Sequence, residues 1–161
     1  MSDENEKLDG HMFGSEQPCF GCGPLHPIGF RLAFEREGDD VVTRFTPGEQ
    51  YQGPPNIMHG GLVMTLADEL AAWAIIAATG KFGFTATVSC KLHGALRIGK
   101  EVVGRARIVK NARRIVDVGV SLSQDDKEAF SGEFRFVVLD RAGAEKMLGG
   151  PLPESWQRFA R

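Results

Sequence analysis

Asp68 and Glu69 stand in the middle of an otherwise apolar run, Leu62-Val63-Met64-Thr65-Leu66-Ala67-Asp68-Glu69-Leu70-Ala71-Ala72-Trp73-Ala74-Ile75-Ile76-Ala77-Ala78-Thr79, that follows His59-Gly60-Gly61. This composition predicts a buried helix over 62–79 that begins at the glycine pair. A buried helix has no structural use for an unpaired carboxylate, because burying one is costly. The glycines offer free backbone N–H groups at the positive end of the helix dipole. Donors fit for an oxyanion and an acid fit to handle a proton therefore share one element, a pairing suited to chemistry on a carbonyl.

The elements around this helix read as short strands. Phe30–Glu35 and Val41–Phe45 alternate apolar and polar residues around Gly38-Asp39-Asp40, which predicts a hairpin. Four further strands are expected near Phe84–Leu92, Val102–Val109, Ile115–Ser121 and Glu128–Leu139, as an antiparallel meander. Strand, strand, long helix and then four strands is an α+β order. The helix is apolar nearly all round, so one antiparallel sheet must wrap much of it. At 100° per residue Leu62, Leu66, Leu70, Trp73 and Ala77 form the stripe facing that sheet. Asp68 points away from it, among Met64, Ala71, Ala72 and Ile75. Residues 1–17 are polar and acidic and are expected to form a flexible tail; 18–140 form the domain, and 141–161 a C-terminal extension with one short helix around Glu154–Phe159.

At 161 residues, with 42% hydrophobic and 25% charged residues and a net charge of −2, the chain has the composition of an ordinary single globular domain. The charge gives no case for nucleic acid or a membrane surface. The helix is long enough to span a bilayer, but Asp68 and Glu69 at its centre argue against that. No signal-peptide pattern opens the sequence, so a cytoplasmic protein is the expectation. Cys19-Phe20-Gly21-Cys22, with His26 nearby, has the spacing of half a zinc site. A structural site needs four ligands and no second pair follows, so the expectation is a tight turn with two small thiols and no metal.

These pieces together resemble a known family, the hotdog-fold acyl-CoA thioesterases, in particular the phenylacetate-pathway (PaaI-like) enzymes and the mitochondrial thioesterases of the superfamily-member-4 type. The resemblance runs from about Pro18 to Leu139. It is carried by Cys19-Phe20-Gly21-Cys22-Gly23 with Pro27-Ile28-Gly29-Phe30, by Gln52-Gly53-Pro54-Pro55, by His59-Gly60-Gly61 with an acid nine residues after the histidine, and by Thr85-Ala86-Thr87-Val88. It implies a hotdog fold, a sheet wrapped around one long central helix, and hydrolysis of an acyl-CoA thioester without a separate cofactor. Asp68 is then the catalytic carboxylate, acting as nucleophile or as general base for water. Gly60 or Gly61 supplies the N–H that polarises the carbonyl. His59 orients the loop and helps bind the thioester, and Thr85 positions the water or the acid. Relatives often carry Asn or Gln six or seven residues before the histidine; here Gly53 and Gln52 stand there, and Asn56 is a nearer polar group.

Spacing adds a quaternary expectation. Gly60 and Asp68 are separated by about 12 Å along a helix, whereas proton transfer needs contacts of about 3 Å. One helix cannot bring both to one carbonyl, but two antiparallel helices across a two-fold axis can. An obligate homodimer is expected, able to pair again into a homotetramer. Between Lys91 and Arg114 eight Lys and Arg face Glu101 alone, a local charge of +7. Half of such a set is an ordinary solvated face. In a CoA-using enzyme Lys110, Arg113 and Arg114, at a strand-to-strand turn, are the candidates for the nucleotide phosphates. Met64, Trp73 and Phe82 are the candidates for the acyl slot. A hotdog hydratase or dehydratase, and a non-catalytic acyl-CoA-binding module, are the alternative functions.

Overall fold

The structure is a computed structural model that describes residues 6–161. Seven strands form one antiparallel sheet: β1 (Lys7–Asp9), β2 (Ala33–Glu37), β3 (Asp40–Phe45), β4 (Gly83–Leu92), β5 (Val102–Ala112), β6 (Ile115–Gln124) and β7 (Lys127–Val138). The 20-residue helix α1 (Gly60–Thr79) lies across it, and α2 (Arg141–Leu148) and α3 (Glu154–Gln157) follow the last strand. The order across the sheet is β1-β2-β3-β5-β6-β7-β4. This is the hotdog arrangement.

The sheet curls around α1, which touches β2 through β7. Leu66, Leu70 and Trp73 are buried as the 3.6-residue period requires. Trp73 stacks on Phe34 with ring centroids 5.0 Å apart. Leu70 packs over Gly104 of β5; a Cβ there would stand 2.7 Å from its Cδ2, so only glycine lets the helix lie this close. The helix passes for a membrane span by length and by its mean hydropathy of 1.6, but half of that stretch is buried inside this domain.

The elements follow the sequence reading closely from β2 to β7, with corrections to the strand order and to both ends of the chain. The four later strands are not a simple meander: β5, β6 and β7 are, but β4 crosses to the far side and pairs with β7. Its own neighbour in the chain, β5, lies on β3 instead. The expected tail over 1–17 is ordered from residue 6 on: Leu8 pairs with Phe34 in the sheet, and Phe13 is buried. Residues 1–5 lie outside the described residues. Polar composition hid this because the segment contributes only two large apolar anchors, Leu8 and Phe13.

The C-terminal extension is likewise part of the same packed unit. Phe13 meets Trp73, Phe82, Trp156 and Phe159 in one aromatic cluster. The Arg158 guanidinium donates to the Met12 carbonyl and the Ser155 hydroxyl to that of Phe13. α2 was not expected from the sequence; Asp140 caps it by accepting from the Gly143 N–H at 2.8 Å.

Candidate active site

The loop before α1 fixes how the helix begins. Gly53 N–H donates to the Ile57 carbonyl and His59 N–H to that of Tyr51, which closes residues 51–59 into a compact turn. His59 is the N-cap, and its Nδ1 accepts from the Gly61 N–H at 3.0 Å. The His59 carbonyl takes the N–H groups of Leu62 and Val63. In the first turn this leaves the Gly60 N–H with no partner among the described residues. Sequence reasoning could not choose between Gly60 and Gly61; the cap assigns the free donor to Gly60. A neutral His59 ring that accepts at Nδ1 carries its proton on Nε2, so it is a second donor at the same helix end.

Asp68 stands two turns further on, and Thr85 of β4 donates its hydroxyl to Asp68 Oδ1 at 2.6 Å. Burial pushes the Asp68 carboxyl above its ordinary value, while the Thr85 hydrogen bond pulls the other way. The result is a carboxylate more basic than a surface aspartate, with Oδ2 free to take a proton. A bulge between Thr85 and Thr87 shifts the β4–β7 register at this point. Bulges re-aim side chains, and this one lies next to the residue that holds the acid.

Beyond the bulge, Val88 lies opposite Phe134 and Leu92 opposite Phe130, so both face the helix side of the sheet. Leu92 lies against Gly60. Strand and helix therefore run side by side from Asp68 to Gly60, with Thr85 at one end and Leu92 at the other. Met64, Val88 and Leu92 remain 38%, 45% and 47% exposed along this line, an open apolar strip between the acid and the helix N-terminus.

Two of the three slot residues expected from the sequence are misplaced. Met64 lies on the strip. Trp73 is 1% exposed beneath the helix, and Phe82 belongs to the aromatic cluster with Phe13 and Trp156. The helical period already put Trp73 on the sheet-facing stripe. Val88 and Leu92 were missed because their orientation depends on the bulge and on pairing with β7. The Asn56 side chain makes no hydrogen bond among the described residues; its N–H donates to Gln52 Oε1 at 3.0 Å, which makes it a loop residue with φ of 65°.

Part of the basic cluster is already paired. Arg105 reaches Glu37, Arg107 reaches Asp40 and Lys100 reaches Asp125. Lys110 lies opposite Asp117 in the β5–β6 ladder. Arg113 and Arg114, by contrast, line a cavity of about 580 Å³ with Lys81 and Arg161, near the C-terminal end of α1. Asp140 is its acid, 3.8 Å from Arg114. Of the three cations expected together, two are there and Lys110 is not. His93 bonds Ser131 at 2.7 Å and His26 accepts from the Gly29 N–H at 2.8 Å, so neither faces Asp68.

The comparison with known proteins follows this geometry. A family profile described as thioesterase superfamily matches residues 55–130, from the loop before α1 to the first residues of β7. Over residues 55–130 the chain is similar to the thioesterase superfamily. Among solved structures, a thioesterase superfamily protein is 25% identical with a TM-score of 0.68, over 84% of this chain and 68% of its own. Zebrafish thioesterase superfamily member 2 is 22% identical, TM-score 0.64, over 71% and 89% of the two chains. A hypothetical thioesterase from Streptococcus pneumoniae, solved with coenzyme A, is 18% identical, TM-score 0.60, over 65% and 86%. Among curated protein sequences none matches this chain.

Proposed function

We propose that this thioesterase-superfamily protein is a PaaI-like acyl-CoA thioesterase that hydrolyses an aryl or a short- or medium-chain acyl-CoA to the free acid and CoA, as a cytoplasmic homodimer. The observation that carries the reading is the pair of complementary groups left open on α1: Asp68, made more basic by burial and held by Thr85, and the unclaimed Gly60 N–H. Asp68 of one protomer activates water, or attacks directly, at the thioester carbon. Gly60 of the other protomer, with His59 beside it, receives the charge that develops on the carbonyl oxygen. The acyl group lies along Met64, Val88 and Leu92. Arg113 and Arg114 bind the nucleotide phosphates; a pneumococcal protein of the same fold was solved with coenzyme A. A hydratase would need a histidine free to act as a base beside the acid; His59 Nδ1 is taken by the Gly61 N–H, and His93 and His26 are engaged elsewhere.

A panel of benzoyl-type, short-chain and medium-chain CoA esters, followed by free-thiol detection, tests this directly. Release of CoA from at least one class is expected. Binding of the esters without any thiol release would replace the enzyme with the acyl-CoA-binding module.

The Thr85 bond also predicts a pH effect. Its hydroxyl stabilises the ionised carboxylate, so removing it raises the Asp68 pKa further. Thr85→Ala is expected to move the acid limb of the kcat/KM profile to higher pH, whereas Thr85→Ser keeps the bond and leaves the limb in place. Identical limbs in all three proteins would mean that Asp68 is not the titrating base.

A further inference from the structure

On another face of α1 than Asp68 lies a second cluster that the proposed hydrolysis does not use. We propose that Cys19, Cys22 and Glu69 form a binding site for a soft divalent cation, zinc in the first place, which clips the N-terminal loop to the middle of α1. The sequence shows only two ligands, and the fold brings the third from fifty residues away. Cys19 Sγ is 3.4 and 3.5 Å from the two carboxylate oxygens of Glu69. Ligand atoms of the three residues all lie within 4.8 Å of one another. Two ligands on one tetrahedral zinc, with Zn–S of about 2.3 Å and Zn–O of about 2.1 Å, stand about 3.6 Å apart. The Cys19–Glu69 spacing is that of two ligands sharing an ion, and Cys22 lies within 4.8 Å, so a small closing movement completes the set.

The surroundings are those of a metal site. The Cys22 N–H points at Cys19 Sγ at 3.5 Å, and Gln17 Nε2 donates to Cys22 Sγ at 3.4 Å. Trp73 Nε1 donates to Glu69 Oε1 at 3.2 Å, the kind of outer hydrogen bond that orients a ligating carboxylate. Gly21 lies so close to the carboxyl that a Cβ there would stand 2.5 Å from its carbon, so glycine lets the turn sit directly over Glu69. Among the described residues no Lys, Arg or His acts on Glu69; its electrostatic neighbours are Cys19, Cys22 and Trp73. A metal ion supplies the missing positive charge. A Cys19–Cys22 disulfide would leave the carboxyl with the Trp73 N–H alone. Cys19 and Glu69 are partly exposed, which gives the ion a path in and leaves its fourth position to water. Binding involves no oxidation: each thiol, and the carboxyl where it is protonated, gives up its proton to solvent.

The test uses the full chain, reduced and stripped of metal with a chelator, then titrated with zinc or cobalt(II) alone. One ion per chain is expected, with the thiolate charge-transfer and visible bands of tetrahedral cobalt and a raised melting temperature on zinc addition. Cys90→Ser keeps the site; Cys22→Ser loses it; Glu69→Gln weakens zinc by about 100-fold or more, and Trp73→Phe by about 10- to 100-fold. If the cysteine variants fail to fold, the wild-type cobalt spectrum decides alone. No bound ion, a spectrum without thiolate bands, affinity unchanged in Glu69→Gln, or a Cys19–Cys22 disulfide in the freshly isolated protein would each overturn the proposal.

Discussion

Asp68→Asn is expected to lower thioester hydrolysis by about 10²- to 10⁴-fold while acyl-CoA binding is retained. The substitution is nearly isosteric, and its amide oxygen can still accept the Thr85 hydroxyl that Asp68 Oδ1 accepts at 2.6 Å. The shape of the strip between α1 and β4 is therefore kept. What is lost is the capacity to take a proton from water or to attack as a nucleophile, since an amide does neither at neutral pH. Stability should not fall, because the removed charge is one that burial already disfavours. Measuring kcat and the dissociation constant of a substrate analogue separately distinguishes the roles: kcat collapses and binding stays. Unchanged hydrolysis would sink the assignment of Asp68, and with it the proposed mechanism.

Much of this site is legible in the sequence because it depends on local rules. The start of α1 at the glycine pair, the stop at Gly80, and the outward direction of Asp68 all follow from helical period and end signals. The buried carboxylate stands out against an apolar run. Thr85 is different: as a residue it is an ordinary strand threonine, and resemblance alone marked it until the 2.6 Å bond placed it on the acid. What the sequence hides is set by long-range pairing. The crossing of β4 to the far edge follows from the sheet order, and no local pattern of 83–92 encodes it. The bulge before Thr87 then turns Val88 and Leu92 toward the helix.

The second acid shows the same division. Glu69 stands ten residues after His59 instead of nine, and the 100° turn between neighbours puts it on another face than Asp68. That this face meets Cys19 and Cys22 is a tertiary fact, carried by the loop over 17–23. The basic cluster misleads for the converse reason. Eight cations and one acid in the chain between Lys91 and Arg114 suggest a free patch, yet cross-strand acids of β2, β3 and the β6–β7 turn neutralise much of it. Only pairing across the sheet shows which cations stay available.

The second large effect concerns the edge of the sheet. β4 is bonded to β7 on one side and open on the other along its ten residues, an edge of about 34 Å. It carries no proline and a single charge, Lys91, and its bulge lies near one end, so most of its length is open to strand addition. In the proposed dimer a second copy pairing there would extend the sheet and bring its α1 alongside, antiparallel, so that Gly60 of one copy would approach Asp68 of the other. Thr87 and Ser89 lie opposite Arg135 and Glu133 on the outer face of this edge, away from the strip that holds the acyl group. Thr87→Lys combined with Ser89→Lys should therefore place like charges across the junction without touching the slot. The expected result is a monomer by sedimentation, with hydrolysis lower by about 10²- to 10³-fold, the cost of one lost oxyanion donor. Mixing that variant with Thr87→Glu/Ser89→Glu should restore both the dimer and the activity. A monomer that keeps full activity would show that each chain contains a complete site, and the pairing of Gly60 with a partner's Asp68 would be wrong.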